Sequence, residues 1–210
     1  MQSGYERIYL DVVARLAQCD LTEHARRLGF DLASGSPAIG FLGRDFSVTA
    51  RGVEPLDGLP AHVNNRSVLG LYMLSEGSGI PGSSFVSLLD LAGTAVRGAW
   101  DARWSMARGA AQEIGSDYRR LEQAAEMLGG TYEPTGASTY TWFFQLLPKI
   151  PAQLVFHEGD DEFPPDMRLL FDVTAVRFLE FECLNVLSWC FFRALKMVAR
   201  TGNVRGWDKL

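Results

Sequence analysis

The sequence feature that most constrains the fold is a long apolar segment with helical spacing near the end of the chain. Over residues 179–198, the apolar residues recur too densely to fit on a single helix face. Its uncharged part, residues 183–192, has ten residues and lies between Glu182 and Arg193, whereas a helix needs roughly 20 to cross a bilayer. We therefore predict a core helix that is buried all round or covered on one side by a partner, and no membrane span.

Helical and strand patterns in the rest of the chain predict how this helix is covered. Residues 5–16 and Leu21–Leu28 have amphipathic helical spacing, so two helices open the chain. Two short apolar runs flank Gly43-Arg44 and predict a hairpin that turns at this dipeptide, followed by a loop over residues 52–60. Further helices are predicted from Asn64 or Asn65 through residue 74, over 94–115 and over 118–128, and further strands over 139–147, 152–156 and 168–171.

These patterns predict one α+β domain over residues 1–200. Helices at both ends with hairpin strands between them favour an antiparallel sheet of hairpins, flanked by the N-terminal helices and the long apolar C-terminal helix. A length of 210 residues and an apolar content of 47% suit one sizeable core. Residues 201–210 contain glycines and basic side chains, and we predict that they form a frayed basic tail.

Charge and cysteine content narrow the environment and the partners. The net charge is −5, so we expect no electropositive field that binds nucleic acid. Glu6 and Arg7 lie where a secretory signal would be apolar, which favours a cytoplasmic location. The three cysteines, Cys19, Cys183 and Cys190, lie in apolar helical patterns and are predicted to be reduced and packed.

The strongest candidate for a functional site is an acidic stretch near the last predicted strands. Residues 151–172 carry six carboxylates and one arginine, so this segment alone has the net charge of the whole chain. A loop over residues 157–162, bent at Gly159, would supply carboxylates for a hard cation or for acid–base chemistry. We predict a ligand site made of this loop and nearby aromatic residues, namely His157, Glu158, Asp160, Asp161, Glu162, Phe163 and Trp142.

Two interpretations of this loop stay open. It is either such a site or a solvated hairpin loop in which Asp160 or Asp161 caps its own turn. Its spacing does not match an EF-hand, and the three histidines of the chain are scattered. The sequence also has no phosphate-binding glycine motif and no GxSxG nucleophile motif, so cofactors, metal ligands and catalytic residues stay unassigned.

Several short motifs follow one another along the chain. They are FLGRDF at residues 41–46, LGLYML at 69–74, LGG at 128–130, EGDDEFP at 158–164 and LFD at 170–172. In this order they resemble an uncharacterised prokaryotic family, domain of unknown function 3786, over residues 5–195. The resemblance implies a compact cytosolic domain of bacteria and archaea, sometimes joined to a cysteine-rich iron–sulfur module, and it carries no established catalytic residues.

Three functional hypotheses follow. The first is a non-catalytic ligand-binding or accessory domain linked to metallocofactor proteins, since the iron–sulfur module is the only functional context that the resemblance implies. Its partner is a protein or a small-molecule ligand. The second is an enzyme that uses residues 157–162 for acid–base or divalent-metal-assisted chemistry. The third is a structural domain that forms a homo-oligomer through the C-terminal helix, which presents Trp189, Phe191 and Phe192.

Overall fold

The computed structural model describes residues 4–33, 35–92, 104–114, 117–134, 139–205 and 207. Up to residue 73, the helices are α1 (Gly4–Leu16), α2 (Leu21–Leu28) and α3 (Val63–Met73). Strands β1 (Ala38–Phe41), β2 (Arg44–Thr49) and β3 (Gly52–Pro55) form an antiparallel sheet in that order. The two N-terminal helices are as predicted, because Asp20 caps the backbone N–H groups at the start of α2 and Gly29 ends it in a left-handed conformation.

The small sheet differs from the prediction at two points. The β1–β2 turn consists of Leu42 and Gly43, with φ values of 49° and 77°, and Arg44 already pairs with Phe41. Two successive positive φ values match the twist of a tight hairpin, which places the turn one residue earlier than predicted. Gly52–Pro55 is a strand and not a loop, because it pairs with β2, and local composition does not encode that pairing.

Helix α3 also begins differently from the prediction. Its N-cap is His62, whose ring Nδ1 accepts a hydrogen bond from the Asn64 backbone N–H at 3.2 Å. Asn64 and Asn65, the predicted caps, are instead buried within the first turn. Farther along, Gly70 lies so close to α1 that an added Cβ would come within 2.4 Å of Val12 Cγ1. The chain therefore needs a residue without a side chain where α1 and α3 cross.

A second antiparallel sheet dominates the rest of the described chain. Its strands are β4 (Phe85–Ser87), β5 (Thr131–Pro134), β6 (Thr139–Leu147), β7 (Ile150–His157) and β8 (Asp166–Asp172), in the order β4-β8-β7-β6-β5. The predicted antiparallel sheet of hairpins is thus confirmed, with its three predicted strands as β6, β7 and β8. The short strands β4 and β5 were not predicted, since each is defined by pairing with a longer neighbour.

Helices pack against this larger sheet and complete a single α+β domain. They are α4 (Leu88–Leu91), α5 (Trp104–Ile114), α6 (Tyr118–Met127) and α7 (Phe181–Thr201). The helix predicted over 94–115 is confirmed only as α5, because residues 94–103 and 115 lie outside the described ranges. Helix α7 packs against α3, α5 and α6, and Phe191 meets Phe144 of β6 edge to face at 4.9 Å between ring centroids. This packing supports the prediction of a core helix.

Two contacts tie distant parts of the chain together. The Tyr72 hydroxyl donates to the Leu28 carbonyl at 2.7 Å and accepts from the Lys149 backbone N–H at 3.0 Å, which joins α2 and α3 to the β6–β7 turn. In the segment predicted as a basic tail, Trp207 is buried and its indole N–H donates to the Leu42 carbonyl at 3.2 Å.

None of the helices within the described ranges has the length and apolarity of a bilayer span.

Candidate functional site

The acidic loop between β7 and β8 is held by its own backbone. The Asp160 N–H donates to the Phe163 carbonyl at 2.8 Å, and Asp160 Oδ1 accepts from the backbone N–H groups of Phe163 and Glu162 at 2.7 and 2.9 Å. These two bonds to Oδ1 hold the pKa of Asp160 below its usual value. The loop therefore contains the self-capped turn that the second interpretation predicts. One carboxylate oxygen of Asp160 is occupied by the hydrogen bonds of that turn.

The remaining loop residues divide into an exposed and a half-buried group. Asp160, Asp161 and Glu162 are exposed, and Phe163 is 67% exposed at the tip of the loop. His157 and Glu158 are half-buried where β7 ends. Three of the four loop carboxylates thus face solvent, which leaves only Glu158 in surroundings that restrict water, as general acid–base work requires.

The half-buried pair contacts strand β6. The His157 ring Nδ1 lies 3.0 Å from the Thr139 hydroxyl, and the Glu158 carboxylate accepts a hydrogen bond from the Tyr140 hydroxyl. Loss of hydration, followed by the charge of Glu158, raises the pKa of Tyr140. Both partners of His157 and Glu158 come from the neighbouring strand, so these contacts fasten the start of the loop to the sheet.

Trp142 lies apart from the loop carboxylates. It is fully buried on β6, and three tyrosine rings, those of Tyr118, Tyr132 and Tyr140, pack around it at centroid distances of 5.8 to 6.4 Å. Its indole N–H has no hydrogen-bond partner among the described residues. Tyr140, which packs against Trp142, donates a hydrogen bond to Glu158 at the start of the loop. The predicted residues are thus divided between the core and the surface. No three histidine, cysteine or acidic side chains of the described ranges converge as metal ligands.

A second candidate site, which the sequence did not reveal as a site, is the groove between α5 and α7. The groove has a volume of about 500 Å³. Its apolar floor consists of Met106, Trp189, Phe192 and Met197, and its charged rim consists of Glu113, Arg193, Lys196 and Arg200. The three cations occur at positions i, i+3 and i+7 of α7, which places them on one side of the helix. This spacing is the one feature of the sequence that could have indicated the groove. The sequence analysis identified only the basic character of the end of the chain.

Specific contacts orient the groove residues. The Arg193 guanidinium lies over the Trp189 ring at 5.0 Å from its centroid, and the His62 ring approaches the same indole at 5.2 Å. The Lys196 ammonium lies 3.1 Å from a Glu113 carboxylate oxygen. Among the described lining residues, three cations and one carboxylate give the rim an excess of two positive charges in a protein of net charge −5. The groove therefore combines an aromatic surface with a local attraction for anions.

A smaller apolar cleft lies next to this groove. It measures about 100 Å³ and is bounded by β8, α4, α5 and α7. Its walls include Met167, Leu169 and Leu170 of β8. Met106 and Phe192 line both the cleft and the groove, so these two side chains separate the two spaces.

The cysteines lie outside both candidate sites. Cys183 and Cys190 are buried in α7, and Cys19 is half-buried. Burial raises the pKa of the Cys183 thiol to about 12, so this sulfur stays protonated at neutral pH. All three are free thiols.

The chain matches a known protein family. A family model described as Domain of unknown function (DUF3786) matches residues 20–194. The match extends from the cap of α2 into α7 and includes the acidic loop, Trp142, Trp189 and Arg193. No curated protein and no solved structure matches the chain.

Proposed function

This chain belongs to the DUF3786 family, and we propose that it is a non-catalytic binding domain for a small molecule with an apolar body and an anionic group. The ligand occupies the groove between α5 and α7. The observation that carries this proposal is the row of three cations, Arg193, Lys196 and Arg200, above an aromatic floor in an acidic protein.

The composition of the groove supports binding of an anion. An arginine that stacks on an indole ring places a cation beside an apolar surface, and this combination attracts a carboxylate, sulfonate or phosphate with an apolar body. Trp189 and Phe192 offer the apolar contact area that anchors most of a small ligand. The one carboxylate of the rim, Glu113, is neutralised by Lys196 and does not repel the ligand strongly.

The same composition supports binding rather than catalysis. The described residues that line the groove include no histidine and no cysteine, and Glu113 is engaged with Lys196. A general base or nucleophile needs a partner that activates it, and these residues form no such pair. The groove therefore has the means to hold and orient an anion without an activated group beside it.

We expect the wild-type protein to bind 8-anilino-1-naphthalenesulfonate, an aromatic anion, and R193Q/K196Q/R200Q to bind it about tenfold more weakly. Each exposed ion pair contributes about 0.5 kcal/mol, so three together give this factor. Fluorescence titration measures the dissociation constant. Salt should weaken the binding of the wild type more than that of the variant, because the three charges carry the difference.

The matched control is R7Q/R15Q/R26Q, which removes the same number of charges from exposed positions on α1 and α2. It should keep the wild-type affinity. If both triple variants bind the probe equally weakly, the effect comes from the net charge of the protein and not from the groove. If R193Q/K196Q/R200Q keeps the wild-type affinity, the groove is not the binding site.

A second candidate function is docking to a protein partner through the acidic loop. The observation in its favour is Phe163, an aromatic side chain that is 67% exposed next to three carboxylates on a self-capped turn. An exposed aromatic residue on a rigid loop suits an interface anchor, and the carboxylates suit a basic partner surface. This is the accessory role of the first hypothesis, with the predicted site residues as the contact surface.

Native mass spectrometry of protein purified gently under anaerobic conditions tests this second candidate. We expect an added mass that is lost in D160A/D161A/E162A and in F163A but is kept in R193Q/K196Q/R200Q. An added mass that is lost only in the groove variant would assign it to the first function. Equal retention in every variant would remove both surfaces as its binding site.

A further inference from the structure

We infer that the ligand of the groove is a linear anion whose unbranched alkyl tail passes between Met106 and Phe192 into the inner cleft beside β8. This inference rests on the proposed function and names its ligand class, an alkyl chain that ends in a carboxylate, sulfate or phosphate. The headgroup lies on the cationic rim and the tail points toward the sheet.

The outer groove and the inner cleft share a wall. The outer groove measures about 500 Å³ and the inner cleft about 100 Å³, and both are lined by Met106 and Phe192. Methionine is unbranched and changes rotamer easily, so Met106 can move aside for a thin chain. Phe192 is 5% exposed and forms the fixed side of this passage.

The chemistry of the lining changes along this path. Three cations line the outer groove, whereas most residues of the inner cleft are apolar, among them Met167, Leu169 and Leu170 of β8. The inner cleft is also lined by Asn185 and by Arg168, whose guanidinium is paired with Asp166. Ser188, on the α7 side, already donates its hydroxyl to the Leu184 carbonyl at 3.1 Å and offers no free donor. Polarity therefore falls from the rim inward, as in a molecule with one anionic end and one hydrocarbon end.

The size of the inner cleft also favours a thin tail. A space of about 100 Å³ is smaller than the roughly 300 to 1,000 Å³ of sites that enclose drug-sized molecules. It cannot accept the fused rings that fit the outer groove, but a narrow chain can enter it. The structure thus favours a tail of limited length over a bulky ring system.

The test measures the affinities of butanoate, hexanoate, octanoate and decanoate by isothermal titration calorimetry. We expect each methylene group to tighten binding about fourfold until the inner cleft is full, and further methylene groups to add little. Butyl and octyl sulfate should show the same dependence on chain length, because the rim recognises charge. Affinity for only one headgroup class would narrow the ligand to that class.

The variant that isolates the tail site is Ala107→Phe, which fills the inner cleft from α5. We expect it to lose the gain between hexanoate and octanoate, at least tenfold, while it keeps the affinity for 8-anilino-1-naphthalenesulfonate. Ala14→Phe, at an exposed position of α1, is the matched control. If Ala107→Phe fails to fold by circular dichroism, Leu170→Trp narrows the same cleft from β8.

The outcomes separate this inference from the proposed function. Charge-dependent binding of the sulfonate probe without any dependence on chain length would overturn the tail site and keep the groove. The same chain-length dependence in wild type, Ala107→Phe and Leu170→Trp would also overturn the tail site. Loss of all probe binding by the wild type would overturn the proposed function itself.

Discussion

The Asp172→Ala variant should lose about 3 kcal/mol or more of its free energy of unfolding. Asp172 ends β8, is fully buried and accepts hydrogen bonds from the backbone N–H groups of Gly82, Ser84 and Thr174 at 2.9 to 3.3 Å. The Thr174 hydroxyl also donates to it. Alanine would leave these donors buried without an acceptor and would release the segment that leads into β4.

The pH dependence of this contribution has a defined sign. Burial opposes ionisation of Asp172, but the hydrogen bonds from Thr174, Gly82 and Ser84 favour the carboxylate and hold its pKa below the usual value. A carboxyl group with a lower pKa in the folded state stabilises the fold above its unfolded pKa. This contribution should be fully present at neutral pH and should disappear as the pH falls through the folded pKa of Asp172.

Chemical denaturation at several pH values measures both effects. The difference in unfolding free energy between wild type and Asp172→Ala should shrink as the pH falls below about 4. The control is Asp161→Ala, which removes an exposed carboxylate and should change stability by less than about 0.5 kcal/mol. A difference between wild type and Asp172→Ala that stays constant down to pH 2 would contradict the assigned role of the carboxylate.

The Arg44→Met variant should lose about 1.5 to 3 kcal/mol, because it removes a buried guanidinium together with its charge-assisted hydrogen bonds to a solvent-accessible carboxylate. The Arg44 side chain is 1% exposed, and its Nε and Nη2 donate to the two Asp57 carboxylate oxygens at 3.0 and 2.7 Å. It also donates to the carbonyls of Leu59 and Pro60. One guanidinium therefore holds the loop after β3, and its hydrogen bond lowers the pKa of Asp57.

The geometry of this pair predicts a graded series of variants. Arg44→Lys should recover only part of the loss, because an ammonium cannot donate along two parallel bonds to Asp57. Arg168→Met breaks an exposed pair with Asp166 at 2.8 Å and should cost less than about 1 kcal/mol. Thermal and denaturant unfolding measure the series. Equal losses in Arg44→Met and Arg168→Met would show that burial of the Arg44 guanidinium has no effect.

The acidic loop shows how far sequence reasoning reached at the candidate site. The turn around Asp160 was predictable, because an aspartate caps backbone groups two and three residues away through local contacts. The separation of Trp142 from the loop was not predictable. The alternation along β6 turns Trp142 into the core, and only the pairing of β6 with β7 decides which residues meet across the sheet.

The elements that have local causes could be predicted from the amino-acid sequence alone. The sequence encodes α2 through Asp20 and Gly29, the main strands through their apolar spacing, and the α+β class through the order of these patterns. Capping and periodicity act within a few residues, so they can be read without knowledge of the rest of the chain. The same applies to the density of apolar residues in α7, which already required a core position.

The pairing of β3 with β2, the pairing of β5 with β6 and the location of the cationic groove depend on the tertiary structure. These features depend on contacts between residues that are distant in sequence, such as Lys196 with Glu113 and His62 with Trp189. Arg193, Lys196 and Arg200 form a binding surface because α5 lies beside α7 and supplies Met106 to the floor. A row of cations on one helix does not form a binding site by itself. It becomes one when the packing of the helices places an apolar surface next to it.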